Sequence, residues 1–203
     1  MSASISTPLD NLGKSLVLLD ASVSPDGQIS SSEFLAAIDS LHAVFDAVGS
    51  DALEGGRNDS AENVLKIRNL GLSLPDHSQY LQALIRAERA TGKHEATEAL
   101  LWLTRGLEFY IASVKRFTSN ESENLPDSIM NAYKNTLKKH HGFVAKMAIK
   151  VAVSKTCPTR DEVFAKLGQD TSTVTSALRA SATTFERVLG VLAPFLRRDD
   201  IKF

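Results

Sequence analysis

The stretch from Glu95 to Val114, EATEALLWLTRGLEFYIASV, restricts the possible folds more than any other part of the chain. Its apolar residues Ala99, Leu100, Leu101, Trp102, Leu103, Leu107, Phe109 and Ile111 surround a helix instead of lining one stripe of it. A helix that is apolar almost all round belongs at the centre of a fold, with other elements packed about it. Glu98, Trp102 and Arg105 nevertheless share one sector of this helix, beside Gly106. Glycine inside a helix costs about 1 kcal/mol relative to alanine. Its commoner reason is close packing, which can coincide with a ligand.

The covering elements also read as helices. Turn signals at SPDG (24–27), GG (55–56), LSLPD (72–76), NLPDS (124–128) and CPTRD (157–161) separate segments with a helical apolar period. Ser30 stands three residues before Glu33, a capping-box pattern, and opens a helix with the stripe Phe34, Ile38, Leu41 and Phe45 that closes on Gly49. HSQYLQALIRAERATG ends on a glycine, and Thr159 is an N-cap for a helix that stops at Gly168. The last long helix runs from Thr171 to about Arg198, with Val174, Leu178, Phe185, Val188, Leu189 and Leu192 inward and a kink or end at Pro194. No alternating strand with hairpin chemistry is present. The expectation is an all-α chain of about eight helices, one domain over 1–203 with a flexible N-terminus over 1–8.

Composition narrows the function classes. With 43% hydrophobic and 23% charged residues the chain is neither disordered nor membrane-embedded. A net charge of −1 argues against a dominant nucleic-acid surface, which shows as a basic excess. Cys157 is the single cysteine, so no intramolecular disulfide forms and a reducing compartment is the simplest context. The N-terminus lacks the pattern of a secretory signal, and no apolar run approaches the ~20 residues that span a bilayer. A cytoplasmic protein is expected.

Several local patterns fail as catalytic or metal sites. SVSPDGQISSSEF places Asp26, Gly27, Ile29 and Glu33 as a calcium loop would, but Ser22 and Ser24 stand where the first two carboxylates belong. His140 and His141 are adjacent, so on a helix they point about 100° apart and do not ligate one metal. No phosphate loop, dinucleotide fingerprint or nucleophile elbow occurs, and no cofactor is expected. An Asp59–His141 acid–base pair remains open, without a nucleophile beside it. The lysines Lys138, Lys139, Lys146 and Lys150, with Phe143 among them, form either a solvated face or one that rests on a membrane.

One polar pattern is different. In DSAENVLKI, Asp59, Asn63 and Lys66 stand at i, i+4 and i+7, the spacing of a buried apolar stripe. The three lie within about 60° of one another on a helix. Such a line is either solvated surface or a place where something polar docks. Carboxylate, amide and ammonium together can satisfy sugar hydroxyls, which both donate and accept.

FDAVGS (45–50), DSAENVLKI, LLWLTRGLEF and LKKHHGF together, in this order and spacing, resemble the glycolipid transfer protein family over about Phe34 to Phe164. Each motif alone is weak, and four in order form a specific signal. The resemblance implies a two-layer all-α sandwich that buries lipid chains between the layers and reads the head group at the surface. By analogy Trp102 is a platform for a sugar ring, while Asp59, Asn63 and Lys66 bond its hydroxyls. Asp59 would also meet the ceramide amide N–H, and His141, directly before Gly142, would donate to the amide carbonyl. The implied activity is non-enzymatic transfer of a glycosphingolipid by a monomer that touches membranes transiently, with no protein partner indicated.

A second branch of that family binds ceramide-1-phosphate, with a basic residue at the tryptophan position. Trp102 and Asn63 favour the sugar branch, and Arg105 matches both. Phe143 stands where a membrane-engaging tryptophan is common, and Phe203 where some members have a lipid-contacting tyrosine. The glycines of EGG (54–56) suggest a mobile loop before Asp59. Alternatives on the same fold are a ceramide-1-phosphate carrier and a sphingolipid sensor that binds a protein partner.

Overall fold

A computed structural model describes residues 7–168 and 170–203. Among the described residues there are nine α-helices: α1 Pro8–Ser22, α2 Ser31–Val48, α3 Asp51–Ser73, α4 Leu81–Ala90, α5 Glu95–Ser119, α6 Leu125–Asn135, α7 Phe143–Thr156, α8 Arg160–Leu167 and α9 Thr171–Leu196. Short 3-10 turns, Pro75–His77 and Leu137–His140, precede α4 and α7. The all-α expectation holds. Antiparallel pairing among the described residues is confined to two isolated bridges, Val23 with Ile29 and Ser30 with Tyr80.

Helix α5 is the hub, packed against α3, α4, α6 and α9, while α1 packs on α2 and α9. One continuous apolar cluster joins Phe34, Ile38, Ile67, Ile85, Leu100, Phe185 and Leu192 across these helices. The inward residues expected on α9 are all buried. Helix α9 runs two residues past Pro194 before Arg197 closes it, so the proline marks its last turn without ending it on the spot.

The N-terminus of α5 is fixed by a residue of α4. His94 precedes α5 without a side-chain cap. The buried Glu88 carboxylate instead accepts from Ala96 N–H and Thr97 N–H, both at 2.8 Å, and from the Thr97 hydroxyl at 2.7 Å. The first turn of a helix has unpaired N–H groups and a positive dipole end, so a carboxylate there is bonded and charge-compensated. This cap sets the α4–α5 corner and with it the placement of α5.

Four expectations need correction. Gly55 and Gly56 lie inside α3, not in a loop before Asp59. Ser50 caps the helix by accepting from Ala52 N–H, and Asp51 and Glu54 put negative charge in its first turn. These start signals outweigh the helix cost of two glycines. The Ser30–Glu33 pattern does not form a capping box, because the two side chains bond each other and neither caps the backbone of α2. His140 and His141 do not continue one helix: His140 ends a 3-10 turn, and His141 is extended before Gly142 opens α7. Thr7 and Asp10 make a true capping box and Pro8 begins α1, so 7 and 8 belong to the first helix and its cap, while 1–6 lie outside the described residues.

Candidate functional site

The line on α3 and the ring on α5 meet around His141. Trp102 projects from α5 half-buried, with the His141 ring stacked on it at 5.7 Å and 27°. His140 approaches the same indole edge-on at 6.4 Å, and the Arg105 guanidinium lies over it at 4.8 Å. His141 is held from α6, where the buried Tyr133 hydroxyl shares a hydrogen bond with its Nδ1 at 3.2 Å. When Tyr133 is the donor, the ring hydrogen sits on Nε2 and is left to serve another acceptor. Tyr133 in turn packs edge-on against Phe109 of α5.

Charge ties α3 to this cluster. Burial raises the Asp59 carboxyl above its ordinary value, the neighbouring Glu62 raises it further, and His141 pulls it down. Burial likewise holds His141 below the ordinary imidazole range, while Asp59 raises it and Lys146 and Arg105 lower it. His140 is also lowered, first by burial and then by Arg105. Arg105 is itself lowered by burial, against Glu108 and Glu98, the acid expected to share its sector. Burial thus favours the neutral form of both Asp59 and His141, while each favours the charged form of the other.

Asp59, Asn63 and Lys66 make no side-chain hydrogen bond or ion pair among the described residues, although Asn63 is half-buried. Their bonding capacity is unspent. Gly106, expected to mark close packing, does not: a Cβ built there meets nothing within 4 Å. Its neighbourhood, one turn beyond Trp102, is open space.

Phe143 begins α7 and is 77% exposed, followed by exposed Val144, Met147 and Val151 on one side of that helix. Lys138 and Lys139, on the preceding 3-10 turn, and Lys150 are exposed beside them. Phe203 lies elsewhere: its ring stacks on His94 at 4.6 Å with Arg89 above it, so its ring partners are not those of Trp102. The sequence reading missed Tyr133, whose contact with His141 crosses a helix end and a 3-10 turn that no local pattern announces. Val144, Met147 and Val151 extend Phe143 at helical spacing, a signal that was present in GFVAKMAIKV.

The fold is shared with a crystal structure of mouse ceramide-1-phosphate transfer protein in its apo form, at a TM-score of 0.85 over 94% of this chain and 97% of that one, with 18% identity. A closer likeness is to the crystal structure of HET-C2, a fungal glycolipid transfer protein: TM-score 0.88, 37% identity, 97% of this chain and 100% of that one. In sequence, a glycolipid transfer protein of Aureobasidium melanogenum is 38% identical over 177 residues, covering 87% of this chain and 88% of the relative. The family model for glycolipid transfer protein matches residues 29–169. The chain belongs to the glycolipid transfer protein family.

Proposed function

We propose that this chain is a non-enzymatic carrier that binds a glycosylceramide and transfers it between membranes. The observation that carries the reading is the unspent polar line of Asp59, Asn63 and Lys66, joined through the Asp59–His141 interaction to the Trp102 ring. A sugar hydroxyl needs donors and acceptors together, and this line offers both without first breaking protein hydrogen bonds. Trp102 supplies an apolar surface for the C–H face of the sugar ring. His141, oriented by Tyr133, donates from Nε2 to the ceramide amide carbonyl, and Asp59 accepts from the amide N–H.

The chains need room inside the fold. On this reading the chains insert among apolar residues that pack partly buried against the core, Phe45, Leu101, Phe109, Tyr110 and Ile149. Each buried CH₂ holds a lipid in its bilayer by ~0.8 kcal/mol, so an apolar interior that replaces the bilayer lowers the barrier to departure. The exposed Phe143, with the Lys138 and Lys139 ammonium groups beside it, gives the monomer a transient hold on a membrane surface. On this reading it acts as a cytoplasmic protein, peripheral at membranes.

The test is transfer of fluorescent galactosylceramide between vesicles by the natural protein and by Trp102→Ala. The substitution is expected to lower the rate more than about tenfold, since the loss combines ring stacking with displaced hydrogen-bond geometry. Far-UV circular dichroism should be unchanged and the lipid recovered chemically intact. Full retention of transfer removes the reading, and a chemically altered lipid removes its non-enzymatic part.

A further inference from the structure

The apolar anchorage of α3 is thin. Of its 23 residues only Val64 and Ile67 are buried, whereas α2 beside it has ten buried residues. The other core contacts of α3, Ala52, Leu53 and Leu70, are only partly buried, so packing defines its rotation about its own axis less tightly than that of α2. The rotation matters because Asp59, Asn63 and Lys66 move together with it. At a side-chain radius of about 5–6 Å, a turn of roughly 10° shifts each polar tip by about 1 Å, enough to spoil a hydrogen bond.

A polar seam between α2 and α3 supplies what packing does not. Asp46 pairs with Arg57 at 2.9 Å, Asp39 pairs with Arg68, and between them His42 Nε2 and Ser60 Oγ share a hydrogen bond at 2.8 Å. The two ion pairs are partly exposed and therefore screened. His42 is 5% exposed and Ser60 half-buried, so their bond is better shielded from water than the two ion pairs. Burial and the neighbouring Arg57 keep its imidazole below the ordinary range, against Asp39 and Asp46, with Arg68 adding to the lowering. Neutral His42 thus sits between two ion pairs and grips Ser60, the residue next to Asp59.

We propose that His42 is a positioning residue for the head-group site: through Ser60 it fixes the rotation of α3 and so aims Asp59, Asn63 and Lys66. It lies outside all four motifs that mark the family resemblance and touches none of the residues proposed to meet the lipid. The inference rests on the head-group reading given above. It predicts a larger defect for lipids that carry the sugar than for ceramide, which keeps only the amide contact with Asp59.

The experiment compares the natural protein with His42→Ala, Ser60→Ala and His42→Gln, whose amide reaches about where Nε2 stood. Equilibrium binding of galactosylceramide and of ceramide, which lacks the sugar, is measured for each beside its thermal melt. His42→Ala and Ser60→Ala are expected to weaken galactosylceramide roughly fivefold and ceramide less than about twofold, with His42→Gln recovering most of the difference. Should His42→Ala fail to melt cooperatively, Ser60→Ala carries the comparison. Equal weakening for both lipids, or none for either in a folded variant, overturns the positioning role while leaving the carrier reading intact. A natural protein that does not prefer galactosylceramide to ceramide overturns the head-group reading and this inference with it.

Discussion

Two sides of α3 both carry polar and charged residues and treat them in opposite ways. Toward α2, Arg57, Ser60 and Arg68 are each engaged, with Asp46, His42 and Asp39. Toward α5 and α7, Asp59, Asn63 and Lys66 are left without protein partners among the described residues. Asp59 even bears a raised pKa, through burial first and then its place beside Glu62. Polar groups that hold the structure are satisfied inside it, and those kept for a ligand are satisfied by the ligand.

The largest expected effect lies outside both sides and marks the scale of a purely structural polar residue. Glu88→Ala removes the carboxylate from three donors at the start of α5 and should destabilise the protein by about 3 kcal/mol in chemical denaturation. The lipid preference of the remaining folded molecules should not change. A shift in preference would mean that the α5 cap belongs to the ligand site.

Asp59→Asn should divide stability from function. Loss of charge-assisted bonding is expected to slow galactosylceramide transfer roughly tenfold or more. Stability should move the other way. The folded pKa of Asp59 is raised, so folding favours its protonated form, and this favourable contribution is lost as pH rises past the ordinary carboxylate value. The variant should therefore be more stable than the natural protein at pH 7 and gain little in acid, as thermal melts at both pH values will read. A variant less stable at pH 7 would place Asp59 among the structural residues.

The smallest effect is assigned to the outer seam. Arg68→Ala breaks a partly exposed ion pair and should cost less than about 1 kcal/mol, with transfer unchanged. A transfer defect as large as that of Asp59→Asn would erase the distinction between the two sides of α3.

The polar line was legible in the sequence because its chemistry needs particular residue types on one helix face, a local constraint. Trp102 and Arg105 were placed in one sector on the same ground, and the structure stacks them. The helix extent was harder: Gly55 and Gly56 read as a turn until the Ser50 cap and the acidic first turn carried α3 through them. Contacts between elements were not legible. Glu88 caps the helix after its own, Tyr133 holds His141 across a change of backbone type, and His42 meets Ser60 from a neighbouring helix. None of these partners shares a local period with its target. Phe203, aligned with a lipid contact by its terminal position, stacks on His94.

The most direct measurement is transfer of galactosylceramide set beside ceramide-1-phosphate, between the same vesicles and with the natural protein. Selective movement of the glycolipid is the predicted result, because Trp102 and Asn63 suit a neutral sugar over a phosphate. Selective movement of the phosphate lipid would contradict it and would make Arg105 and Lys66 the groups that decide the head group.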